Sequence, residues 1–78
     1  MVGMNLTEQE QIILDYILFN RNGIDEYTLY FDLELYFNIR DAYKISSDVI
    51  SLKFKNLITV ERIYLQTGKS FVVYKGIK

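Results

Sequence analysis

Apolar positions recur along the chain with three different rhythms. Between Thr7 and Asn20, residues Ile13, Tyr16, Ile17 and Asn20 fall three and four apart, and Ile12 and Phe19 widen the stripe. That spacing predicts an amphipathic helix over residues 7–20. Thr7 with Glu10 three residues later matches a capping box: the Thr hydroxyl takes a free amide N–H and the Glu reaches back. Asn22-Gly23 supplies the left-handed backbone that ends such a helix.

Residues 26–37 carry two rhythms at once. Asp25 can cap a helix, Glu26 suits its positive end, and Leu29, Leu33, Tyr36 and Phe37 then share a face. Phe31, Leu33, Leu35, Phe37 and Ile39 also alternate with Tyr30, Asp32, Glu34, Tyr36 and Asn38, as in a strand. Local pattern leaves both open. Residues 41–55 read as a helix capped by Asp41, with Ala42, Ile45, Val49 and Leu52 inward and Tyr43, Lys44, Ser47 and Ser51 on another face. Asn56 is a left-handed stop, and Ser46-Ser47 is a rival, later start. Residues 58–66 and 70–76 read as a β-hairpin turning at Thr67-Gly68-Lys69. The chain has no Pro, no repeat and no linker-like stretch, so residues 1–78 are expected to form one domain.

Composition narrows the chemistry. At 50% hydrophobic the chain can build a core, and it is not of disordered type. It has no Cys and no His. That excludes disulfides, Cys/His zinc sites, and Cys–His or Ser–His catalysis. Arg21 is the first base, so no charged segment precedes an apolar stretch, and apolar runs reach only about four residues, far short of a span. A soluble cytoplasmic protein without a membrane partner is expected. A chain of 78 residues buries too little surface for ample stability, which makes a homodimer a natural expectation.

Charge is uneven. Residues 1–38 hold one base and seven acids; residues 39–78 hold eight bases and three acids. Uneven halves can mark an anion-binding surface.

The segment from Ile39 to Ile58 resembles the winged helix-turn-helix family. Asn38-Ile39-Arg40-Asp41 looks like its turn, Ile45, Val49 and Leu52 like the core of its recognition helix, and Asn56-Leu57-Ile58 like the Gly-Leu-Ile that precedes the wing. Asn stands where the family has Gly, and Asn also tolerates positive φ. Leu6-Thr7-Glu8-Gln9-Glu10 resembles the family's first helix. The compact size and the Ile, Tyr and Lys usage are similar to small regulators of archaea and their viruses. The resemblance implies an α+β fold of three helices with a C-terminal β-hairpin wing, makes residues 26–37 the second helix, and suggests a short third strand at residues 23–25.

The function it implies is sequence-specific binding of double-stranded DNA by a transcription regulator. The helix at about 41–55 would enter the major groove with Tyr43, Lys44, Ser47 and Ser51 near base edges. Arg40, Lys53 and Lys55 would meet phosphates, Arg62 would point along the first wing strand, and Lys69 would carry the charge of the wing turn at 66–70. An ordinary solvated face is the competing reading for each base alone; the bases taken together favour DNA.

A second reading uses the same domain for protein docking. Tyr30 and Tyr36 are interface candidates among the crowded aromatics of residues 27–37, whereas Leu33, Phe37 and Phe31 are expected in the core. Ile50 and Phe54 discriminate: buried beneath the wing they support DNA, exposed they support a protein partner. Gly68-Lys69-Ser70 is no phosphate loop, because Ile63 stands where the motif needs its first Gly. No carboxylate pair, metal set, cofactor motif or small-molecule pocket can be read, and an enzyme is not expected.

Overall fold

Three side chains start the three helices. Thr7, Asp25 and Asp41 each sit in extended backbone and accept the amide N–H three residues on, from Glu10, Thr28 and Lys44. The computed structural model describes residues 5–77. Helix α1 spans Glu8–Phe19, strand β1 Ile24–Asp25, α2 Glu26–Phe37, α3 Ala42–Phe54, β2 Ile58–Tyr64 and β3 Ser70–Gly76. The predicted helix over residues 26–37 therefore forms and the competing strand does not. The expected capping box at Thr7 is complete, with both reciprocal bonds made. Asn38 and Asn56 hold left-handed φ of 56° and 60° and close α2 and α3. Lys78, counted with the basic half, lies outside the described residues.

The strands form one antiparallel sheet in the order β1-β3-β2. The hairpin pairs Ile58 with Gly76, Val60 with Tyr74 and Tyr64 with Ser70. The short β1 adds Ile24 opposite Tyr74. Gly76 is needed for close packing: a Cβ there would lie 2.2 Å from the Leu18 side chain of α1. The chain is a small α+β domain of three helices and a three-stranded sheet, an arrangement compatible with a winged helix. No helix of the described residues is long and apolar enough to cross a membrane.

One core joins the layers. It holds Ile13, Leu14 and Ile17 of α1, Leu29 and Leu33 of α2, Ile45, Val49 and Leu52 of α3, and Ile24, Ile58 and Tyr74 of the sheet. Several expectations are corrected here. Phe31 and Phe37, expected inside, are exposed, as are Phe19 and Ala42. The inner face of α2 is filled by Leu29 and Leu33, and Phe31 lies on the far side of the helix. Leu14 takes the inward position that Phe19 does not reach.

Buried acids tie the elements together. The Glu10 carboxylate lies 3.5 Å from Lys55 Nζ, at the end of α3, and accepts the Thr7 amide at 2.9 Å. Asp48 of α3 accepts from Gln9 of α1 at 2.9 Å and from Lys44 at 3.3 Å. Tyr16 of α1 donates to Asp32 of α2, and Tyr74 of β3 donates to Glu26 of α2. Hydrogen bonds from Ser51 and from the Thr7 backbone, with Lys55 nearby, lower the Glu10 carboxyl from 4.5 to about 2 despite its burial.

The folded carboxyl thus holds its proton less tightly than the unfolded one. Its contribution to stability is full above pH 4.5 and is lost as the pH falls toward about 2. Glu10→Gln keeps a side chain able to bond the cap amide but removes the charge. Chemical denaturation at pH 7 and pH 2.5 should show a smaller acid-induced loss of stability in the variant than in the parent.

Candidate functional site

Helix α3 begins at the Asp41 cap and turns its Ile45, Asp48, Val49 and Leu52 inward. At 3.6 residues per turn, the opposite side is then fixed as Tyr43, Ser47, Ile50 and Phe54, spaced four, three and four apart. All four are exposed. Tyr43 is 91% accessible, Ile50 52% and Phe54 81%. The outward stripe of α3 is therefore apolar, interrupted by one serine.

The bases expected on this helix lie beside the stripe. Lys44 leans back to Asp48, with Nζ 3.3 Å from the carboxylate. Lys55 is a correction: it is the C-cap of α3, and its Nζ bonds Glu10 and the Asn5 carbonyl. Lys55 is drawn to the α1–α3 seam because a buried carboxylate must be paired. Ser51 is only partly exposed, a quarter-turn from the outward stripe on the side of Glu10. Lys53 stays exposed on the other flank.

Arg40, in the turn before α3, lies 3.9 Å from Glu34, and both side chains are open to water, so the pair adds little. On the hairpin, Arg62 donates to the Ser70 hydroxyl at 3.1 Å. Lys69 sits exposed in the hairpin turn and makes no ion pair among the described residues. Of the bases expected at a DNA surface, Arg40, Lys53, Arg62 and Lys69 remain toward solvent, Lys44 is half exposed beside Asp48, and Lys75 of β3 is exposed as well.

Ile50 and Phe54 are not covered by the hairpin. The hairpin packs inward through Ile58 and Tyr74, with Val72 against the core; residues 59–62 and 64–71 are exposed. The turn end of the strand pair extends into solvent, and Ile50 and Phe54 stay exposed.

A second exposed apolar surface lies on α1 and α2. Ile12, Asp15, Tyr16, Phe19 and Phe37 line an open cleft of about 240 Å³. The Tyr16 ring stacks on Phe19 at 6.3 Å and meets Phe37 edge-on at 5.7 Å. The bond from the Tyr16 hydroxyl to Asp32, with burial, pushes that phenol up to about 12. Phe19 is 79% accessible. Of the two tyrosines expected at an interface, Tyr36 is exposed and Tyr30 is partly buried against the core, where burial raises its hydroxyl. Tyr27 and Phe31, stacked at 6.5 Å, are exposed on α2 in its place. No group of three metal-binding side chains occurs among the described residues.

The Ile50–Phe54 stripe is surface and not core, which mutagenesis can check. Ile50→Ser and Phe54→Ser should each shift unfolding by no more than about 0.5 kcal/mol. Leu52→Ala, one residue round the same helix, should cost about 2–5 kcal/mol. Urea unfolding followed by circular dichroism measures all three.

Compared with family models, curated proteins and solved structures, the chain finds no match in any of the three.

Proposed function

We propose that this chain is a winged-helix domain whose third helix docks a protein partner. The carrying observation is the outward stripe of Tyr43, Ile50 and Phe54, whose exposure meets the criterion set for a partner. A recognition helix reads bases with its N-terminal part, whereas Ile50 and Phe54 stand in the second half of α3. The element order and the β1-β3-β2 sheet support the winged-helix reading. Lys44 and Lys53 flank the stripe, so the fitting partner surface is apolar with an acidic rim.

A second reading, a DNA-binding regulator, draws support from the open bases Arg40, Lys53, Arg62, Lys69 and Lys75. Tyr43, Lys44 and Ser47, near the start of α3, would face the major groove, and Lys69 a phosphate beside it. Intramolecular pairing of Lys55, and in part of Lys44, leaves few charges to neutralise phosphates, so a single copy would bind weakly.

Fluorescence anisotropy against random duplex DNA at about 50 and 200 mM salt separates the readings. The docking reading expects no binding in either buffer. Salt-sensitive binding, with Lys69→Ala lowering the salt slope by about one, would overturn it in favour of DNA.

A further inference from the structure

The apolar surface left in water is divided between the two charge halves of the chain. The α3 stripe belongs to the basic half and the α1–α2 cleft to the acidic half. Neither covers the other, since Phe54 and Phe19 are both about four-fifths accessible (81% and 79%). The two differ in shape as well as in charge. Phe54 stands out from the last turn of α3 as a knob, whereas Ile12, Tyr16, Phe19 and Phe37 wall a cleft of about 240 Å³.

We propose that the α3 stripe of one copy seats in the α1–α2 cleft of a second copy, with Phe54 in the cleft. This rests on the docking reading of α3 and names its occupant. Charge selects this cleft over the other aromatic groove. The groove between α2 and α3 is lined by Tyr27, Phe31 and Glu34 but also by Arg40, which would oppose Lys44 and Lys53. The α1–α2 cleft carries Asp15 on its lining and Asp32 behind Tyr16, and no base lines it. Lys53 is unpaired among the described residues and is free to meet such a carboxylate.

The contact joins two different patches of one chain. Two copies close into a two-fold pair if each α3 reaches the other's cleft; if not, each docked copy still offers an empty cleft, and the contact repeats head to tail into a ring or an open chain. In every case association rises with concentration and needs both patches.

Unlike patches make the test decisive. Sedimentation equilibrium of the intact chain over a hundredfold concentration range should give an average mass climbing from the 9.3 kDa of one copy to twice that value or more. The α3 variant Ile50→Ser/Phe54→Ser should remain monomeric, and so should the cleft variant Phe19→Ser. Mixed in equal amounts, the two should form a one-to-one pair and nothing larger, because one keeps its cleft and the other its α3. Asp15→Lys is a second cleft variant that leaves the core untouched, and it should weaken association about tenfold or more, with recovery on adding Lys53→Glu in the same chain.

A parent that stays monomeric throughout overturns the second copy as occupant. So does association that survives Phe19→Ser, or a mixture that fails to pair. The docking reading of α3 itself stands apart from these results, because it falls only on salt-sensitive DNA binding.

Discussion

Glu10 is the constraint on which the arrangement turns. It caps α1 through Thr7, and it is buried, so it must be paired within the chain. Its partner there is Lys55, at the far end of α3. One carboxylate therefore fixes the start of the first helix against the end of the third. Asp48 does the same a little further along, held by Gln9 and Lys44. These two acids set the rotation of α3 about its axis. With that rotation fixed, Ile45, Val49 and Leu52 reach the core and Tyr43, Ile50 and Phe54 cannot.

The same seam shapes the surface chemistry. Charge that composition assigned to an outer, anion-binding face is partly consumed inside the molecule. Lys55 pairs with Glu10 in the seam while staying 30% accessible, and Lys44 pairs with Asp48. The basic half thus stays basic by count while its third helix presents apolar side chains outward. A small core adds to this. The inner face of α2 is filled by Leu29 and Leu33 with Tyr30 packed beside them, and Tyr27, Phe31, Tyr36 and Phe37 are left at the surface. Large apolar groups left in contiguous patches mark an interaction surface.

Much of the fold was legible because local signals agreed. Thr7 with Glu10, Asp25 and Asp41 marked the helix starts, Asn56 marked a left-handed stop, and Thr67-Gly68-Lys69 the hairpin turn. Residues 26–37 were not decidable by period, since their apolar residues fit both rhythms; the Asp25 cap and the left-handed Asn38 that closes the helix fit only one. The surface was read less well. Tyr43 and Ser47 were placed outward correctly. Lys44 and Ser51 were grouped with them although they lie a quarter-turn away, toward the seam. The spacing of Tyr43, Ser47, Ile50 and Phe54 was present in the sequence, but choosing it required knowing that Asp48 points inward. A buried aspartate violates the hydrophobic pattern and is invisible until its partner, Gln9, is found 39 positions away.

The balance between the two functional readings follows from this seam. Phosphate binding depends on how many cations can release counterions from DNA. Each lysine bound to a buried acid is withdrawn from that total, since leaving the acid unpaired in the interior would cost more than one exposed phosphate contact returns. The pairing that stabilises α3 therefore weakens it as a DNA helix. It does not weaken it as a docking helix, because apolar contact needs no free charge and gains from a rigid, well-anchored backbone. The architecture that resembles a DNA reader thus places its stability and its DNA affinity in opposition, and only the apolar stripe benefits from both the fixed rotation and the lost charge.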